Sequence, residues 1–286
     1  MLLAAGSPTR EFHFVRALLV HEVEAKRAEL SIYLQSMLGA KDAGGPRKGR
    51  VLGVPAERQF SDFPEIMKLQ YDVIVTFDLD WSRLKDAQLA ALKKWVQTRG
   101  GGLVIIGGPV NTLTLARPGA AKGKLKPLLE LLPVVLEDTR LVEARAADKP
   151  WRLNFPAAKS QPSFLKLEPS RKNALAGWEE FFTGNREMKA KAELQRGIYN
   201  YYPVREVKKD ATILATFSDP AARLKSGKEQ PYLVLMASGK GKVLWIGSGE
   251  LWRLRQYKET YHERFWVELA KYVGAEASRP LKSDKK

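Results

Sequence analysis

The stretch Tyr71-Asp72-Val73-Ile74-Val75-Thr76-Phe77 is nearly continuous in apolar and β-branched residues. A run of this kind, without polar alternation, suits a central parallel strand buried on both faces. Asp78-Leu79-Asp80-Trp81 leaves its carboxyl end. Asp86 to Arg99 then reads as an amphipathic helix with Leu89, Leu92 and Val96 turned inward. Gly100-Gly101-Gly102 stops it, because glycine takes the left-handed conformation that ends helices. Leu103-Val104-Ile105-Ile106 is another buried strand, closed by Gly107-Gly108-Pro109. Strand, helix, strand in this rhythm predicts a parallel sheet with helices on both faces. Right-handed crossovers place the loops after each strand on one edge, where such sheets bind ligands.

Working outward, Leu2 to Ala5 reads as a short buried strand ending at Gly6. Ser7-Pro8 supplies an N-cap and a first-turn proline for a helix with Phe14, Val15, Leu18 and Leu19 on one face. Glu29 to Gln35 alternates Leu30, Ile32 and Leu34, a second strand. Lys41 to Arg50 is a glycine-rich basic loop, and Ser61 to Leu69 suits a short helix. Near the other end, Pro231 to Met236 and Lys242 to Ile246 flank Ser238-Gly239-Lys240-Gly241 as a hairpin. Tyr261 to Val273 forms the last helix, with Phe265, Leu269 and Val273 on one face and Trp266 in the core.

Between these halves the pattern loosens. Leu125 to Leu132 and Asn173 to Phe182 are helical, Trp151 to Leu167 holds short strand-like runs, and Ile198 to Pro203 and Thr212 to Phe217 look like strands. The expected architecture is therefore an α/β three-layer sandwich with a mostly parallel, flavodoxin-like sheet. Residues 1–274 make a single domain with a partly antiparallel insertion at about 112–230, and 275–286 are a polar basic tail.

The chain has 286 residues, enough to bury a core without covalent staples, and no cysteine. The absence of cysteine removes thiolate nucleophiles, zinc-thiolate sites and redox pairs. Of the three histidines, His13 and His21 lie two turns apart on one predicted helix, a spacing more often seen at a surface than at a metal. No metal and no cofactor is expected. A formal charge of +16 attracts nucleic acid, anionic lipid or acidic protein. The cations are spread, with small clusters at Lys41 to Arg50, Arg117 to Lys126 and Arg279 to Lys286, and no nucleic-acid motif accompanies them. No stretch approaches the roughly 20 apolar residues of a membrane helix, and no signal peptide is visible. As it stands the chain reads as a soluble, cytoplasmic-type domain whose abrupt start inside a strand suggests a longer parent.

Three stretches together resemble the class I glutamine amidotransferase-like superfamily: Tyr71 to Val75 with its trailing Asp78, Leu92 to Gly108 (LKKWVQTRGGGLVIIGG), and Gly241-Lys242-Val243-Leu244-Trp245-Ile246-Gly247. More narrowly, Gly6-Ser7-Pro8-Thr9-Arg10, Gly107-Gly108-Pro109-Val110-Asn111-Thr112, Glu250-Leu251-Trp252-Arg253 and Arg264-Phe265-Trp266 look like amidotransferase-like domains of large bacterial membrane proteins. The resemblance spans Leu2 to about Gly274. It implies a cysteine nucleophile on the turn after Ile106 and a histidine and glutamate after a late strand. Here that turn is Gly107-Gly108-Pro109, and Ser248-Gly249-Glu250 follows Ile246. Glu250 matches the glutamate; nucleophile and histidine are missing. The resemblance therefore implies a scaffold without its covalent chemistry, a binding or interaction module of a larger, membrane-associated protein. Its expected partners are other proteins or other domains of a parent chain.

Several residues are candidates for a site at the strand-end edge. Ser7, Thr9 and Arg10 open a helix beside a strand end, a place suited to a small anionic ligand or to ordinary capping. Asp78 and Asp80 suit acid–base or metal chemistry, or else capping and ion pairing; two carboxylates are too few for a hard metal. Gly107, Gly108 and Asn111 allow close approach of a ligand, or simply make a turn. Ser248, Glu250 and Arg253 lie near Trp252, Tyr257, Tyr261 and Arg264, with an ion pair as the plainer account of Glu250 and Arg253. Gly197 to Pro203 is aromatic with basic flanks, suited to stacking or to a strand. Against the non-catalytic module stand a carboxylate- or metal-dependent hydrolase or transferase using Asp78, Asp80 and Glu250, and a basic nucleic-acid or anionic-surface binder.

Overall fold

The computed structural model describes residues 1–36, 53–139, 148–157, 161–184 and 196–277. Six strands run parallel at its centre: β1 (Leu2–Ala5), β2 (Ser31–Leu34), β3 (Gln59–Phe60), β4 (Val73–Phe77), β5 (Gly102–Ile106) and β11 (Gly241–Ile246). The chain between β5 and β11 supplies β6 (Val134–Leu136), β7 (Leu153–Asn154), β8 (Val204–Val207) and β9 (Ala211–Phe217), and β10 (Gln230–Ser238) leads back to the parallel strands. The order across the sheet is β3-β2-β1-β4-β5-β11-β10-β9-β7. Its parallel core, β2-β1-β4-β5-β11, follows the flavodoxin-like 2-1-3-4-5 arrangement. The strands β10, β9 and β7 extend it in antiparallel fashion, while β6 and β8 form a separate pair.

The pleat divides the core into two layers, because successive strand residues face opposite ways. Leu3, Ala5, Val73, Val75, Phe77, Val104 and Ile106 pack with α1 (Arg10–Glu24) and α7 (Glu259–Gly274). Leu2, Ala4, Ile74, Leu103 and Ile105 pack with α2 (Asp86–Arg99) and α4 (Lys126–Leu131). The helix α2 buries Leu89, Leu92, Trp95 and Val96, and Gly100 caps it at φ 75°. A β-carbon there would meet Glu276 backbone oxygen at 2.1 Å, so conformation and space both call for glycine.

Five local readings differ from the structure. Thr9, not Ser7, caps α1: its hydroxyl accepts from the Phe12 N–H at 3.2 Å. The buried face of α1 is Glu11, Phe12, Val15 and Leu19, leaving Phe14 and Leu18 half-buried. Strand β2 is buried on both faces rather than alternating. Ser61 to Leu69 makes turns instead of a helix, since Pro64 has no N–H to give. Ile198 to Pro203 makes one bridge, Trp151 to Ile198, and then leaves the sheet. The predicted loop at Lys41 to Arg50 and the end of the tail lie outside the described residues.

The segment between β5 and β11 is tied to the last helices by Glu180 on α5 (Ala176–Thr183). Its carboxylate accepts from Tyr257 Oη at 2.7 Å, Tyr261 Oη at 2.8 Å and Lys258 Nζ at 2.8 Å. The Lys258 bond, with those tyrosines, lowers its pKa to about 2. A carboxylate whose folded pKa is depressed gives stability that is present above its unfolded value and lost as pH falls. Stability is therefore expected to drop between about pH 4.5 and pH 2, by at most roughly 3 kcal/mol before solvent screening is allowed for. Urea unfolding across this range should show a smaller acid slope in Glu180→Gln; an unchanged slope would remove this account.

Candidate functional site

A cavity of about 430 Å³ opens at the carboxyl ends of the parallel strands. It is lined by Thr9 after β1, Phe77 and Asp78 at the end of β4, Ile106 to Pro109 at the end of β5, and Gly247 to Glu250 after β11. Thr139 and Asn200 to Pro203, from the chain between β5 and β11, complete the wall. Its size falls within the range of small-molecule sites, and its place is the crevice at which open α/β sheets bind ligands.

Asp78 builds one wall. Its carboxylate accepts from the N–H groups of Val110 (2.9 Å), Asn111 (3.0 Å) and Thr112 (2.8 Å) and from the Thr112 hydroxyl (2.8 Å). Asn111 Nδ2 donates to the Asp78 carbonyl oxygen at 2.7 Å. These bonds fold the segment after β5 against β4. Gly108 must be glycine for this approach: a β-carbon would lie 2.5 Å from the Asp78 side chain. Asp80 faces elsewhere, accepting from the Ser82 N–H at 3.1 Å and capping the turn at Trp81–Arg83. The two aspartates thus do not converge on the cavity.

Glu250 builds the opposite wall in the same manner. One oxygen accepts from the Tyr199 N–H at 2.7 Å and the Asn200 N–H at 2.8 Å. The other accepts from Asn200 Nδ2 and from the Arg253 guanidinium, each at 3.0 Å. The Tyr202 N–H donates to the Gly247 carbonyl at 2.7 Å. The segment read from sequence as a strand is therefore a strap laid across the strand ends. The N–H groups of Tyr199, Asn200 and Tyr202 are spent on Glu250 and Gly247 rather than on a ladder.

The remaining candidates are placed as follows. Thr9, Gly107, Gly108 and Ser248 line the cavity. Ser7 and Arg10 are exposed and lie outside its lining, as do Asn111 and Arg253. The Arg10 guanidinium sits 4.4 Å from the Trp252 ring centroid, and that of Arg253 sits 4.3 Å from Tyr199 and 4.6 Å from Trp252. His13 and His21 are both exposed. Among the described residues no group of three or more acidic, histidine or cysteine side chains is placed to hold a metal.

Two features escaped the sequence reading. Tyr232 on β10 is fully buried, and its hydroxyl shares a 2.8 Å hydrogen bond with Ser248 Oγ. Burial pushes the Tyr232 hydroxyl well above its ordinary pKa, so it stays protonated and is no base for Ser248. Behind the β11 turn, Glu11 accepts from the Trp252 N–H at 2.6 Å and Trp266 Nε1 at 2.9 Å, with His262 Nε2 at 3.0 Å. An acidic residue on the core face of α1 was the available signal, since a buried carboxylate needs partners.

No family model and no curated protein matches the chain. Among solved structures, a cytoplasmic protein of Salmonella typhimurium superposes with a TM-score of 0.55 at 14% identity, over 95% of this chain and 98% of that one. A second cytoplasmic protein of Salmonella typhimurium LT2 gives 0.54 at 16% identity, with the same coverage. A ThuA-like protein of Parabacteroides merdae aligns at 12% identity over 99% of this chain and 92% of its own, with a TM-score of 0.43. The two Salmonella proteins share the fold with this chain: a mixed α/β sandwich around a mostly parallel sheet. No described helix is long and apolar enough to cross a membrane.

Proposed function

We propose that this chain is a non-catalytic binding module on an amidotransferase-like scaffold, which takes a small molecule in the strand-end cavity. The observation that carries the reading is the state of its two carboxylates. Asp78 and Glu250 both line the cavity, yet each is spent on backbone donors that build a wall. A general acid or base must reach the proton it moves, and carboxylates held this way are committed to the fold. The sequence has no cysteine, the cavity lining holds no histidine or lysine among the described residues, and Ser248 is paired with a protonated tyrosine. The hydrolase reading loses its groups, while a cavity of ligand size remains. The setting implied by the resemblance is a larger bacterial, membrane-associated protein, with this domain as its ligand- or partner-reading part.

The test is a panel of chromogenic esters, amides, phosphate esters and glycosides, run beside a small-molecule thermal-shift screen. We expect no turnover above buffer. We also expect stabilising compounds whose effect disappears when Thr139→Trp fills the cavity. Turnover that Glu250→Gln or Ser248→Ala removes would restore the enzyme reading.

A further inference from the structure

We infer that the cavity selects an uncharged ligand presenting a carbonyl or hydroxyl oxygen beside an apolar face, and that it rejects anions. This deepens the binding reading above and rests on it. The first observation is a contrast of charge. The protein carries a formal charge of +16, yet among the described residues no lysine, arginine or histidine lines the cavity. The nearest cations, Arg253 and Arg10, lie outside the lining. Arg253 is paired with Glu250 at 3.0 Å and packed on Tyr199 and Trp252, and Arg10 lies against Trp252 outside the lining. The charged side chains that do line the cavity are the carboxylates of Asp78 and Glu250. An anion entering would lose its water, meet no counter-charge and face the Asp78 carboxylate.

A cation fares little better. Asp78 already accepts four hydrogen bonds, and Glu250 accepts three besides the Arg253 contact. Pairing with a ligand would pull these oxygens from the donors that hold the walls. What the lining offers freely is neutral. Among the described residues, the N–H groups of Ser248 and Gly249 donate to no protein acceptor. The Ser248 hydroxyl is tied to Tyr232, whose hydroxyl also reaches the Ser248 carbonyl oxygen at 3.3 Å, while Thr9 keeps its hydroxyl hydrogen and accepts from Phe12. The two N–H groups and the Thr9 hydroxyl are donors for an oxygen acceptor. Phe77, Ile106, Pro109, Tyr202 and Pro203 supply apolar wall, suited to a flat or ring-shaped body.

Matched probes separate the possibilities. Benzamide, benzoate and benzamidine share one shape with charges of zero, minus one and plus one; uridine and uridine monophosphate differ by a phosphate. Ligand-observed NMR at millimolar probe concentration, at neutral pH, reads each against the native chain and against Thr139→Trp. We expect benzamide and uridine to bind in a Thr139→Trp-sensitive manner. Their charged counterparts should bind at least about tenfold more weakly, the factor set by an uncompensated charge in a desolvated site. Charged probes binding as well as the neutral ones in the same cavity would overturn the selectivity while leaving a binding module. Binding that Thr139→Trp does not reduce, or no binding by any probe, would overturn this inference; failure of the wider thermal-shift screen as well would remove the binding reading.

Discussion

Asp78→Asn is expected to destabilise the fold by about 2–3 kcal/mol, from loss of charge-assisted hydrogen bonds and an opposed donor pair. The substitution is a clean one for the backbone. Asp78 sits at φ 41°, in the left-handed region, where asparagine is as acceptable as aspartate. Any loss then comes from the side chain. Its two oxygens serve Val110 on one side and Asn111 and Thr112 on the other. An asparagine has one oxygen to offer. Turned toward Thr112, it sets its NH₂ against the Val110 N–H; turned the other way, it abandons three donors. Urea unfolding measures the cost, and hydrogen exchange at residues 108–112 locates it. A change below about 0.5 kcal/mol, the scatter of ordinary surface substitutions, would mean that Asp78 does not hold this wall. Asp78→Ala should be worse, because alanine adds strain at positive φ.

The difference between what the sequence disclosed and what it withheld follows from the range of the interactions. Val73 to Phe77 and Leu103 to Ile106 declare themselves because burial on both faces imposes an unbroken apolar run. Asp86 to Arg99 does so because its 3.6-residue stripe and its αL glycine are local features. The carboxyl-end crevice followed from connection handedness alone. Where the reading failed, a distant partner decided. Ile198 to Pro203 has a strand's composition, but Glu250, some 50 residues away in sequence, draws off its donors. Asp78 and Glu250 both line the strand-end cavity. Whether they were free or spent depended on Val110 to Thr112 and on Tyr199 and Asn200, which no spacing rule links to them. By its position at a helix start, Arg10 suits either an anion or ordinary capping of the helix, and the aromatic face of Trp252, 242 residues further on, claims its guanidinium.

Replacing Glu11 by glutamine is expected to cost about 2–4 kcal/mol, the range for leaving a buried donor unpaired beside a lost charged acceptor. Glu11 is 1% exposed and accepts from the Trp252 N–H through one oxygen. The other oxygen meets Trp266 Nε1 and His262 Nε2. A glutamine has one acceptor and one donor end, and neither orientation serves all three. With its NH₂ toward Trp252, two N–H groups oppose each other in the core. With its NH₂ toward the helix, His262 can change tautomer and accept, but the Trp266 N–H cannot. The damage should reach the cavity, since Trp252 lies two residues beyond Glu250, at the end of the Ser248 to Glu250 wall, and is anchored there by Glu11. Faster exchange of the Trp252 amide, and of its neighbours up to Leu254, is therefore expected with the loss in unfolding free energy. His262→Gln should cost less, because glutamine supplies a donor for the Glu11 oxygen. If Glu11→Gln matched the native chain in both measurements, the α1–α7 cluster would be filler rather than the brace of the β11 turn. If global stability fell while the exchange at Trp252 stayed native, the cluster would hold the helices alone, and Ser248 and Glu250 would owe their placement to the Tyr232 and Tyr199–Asn200 contacts.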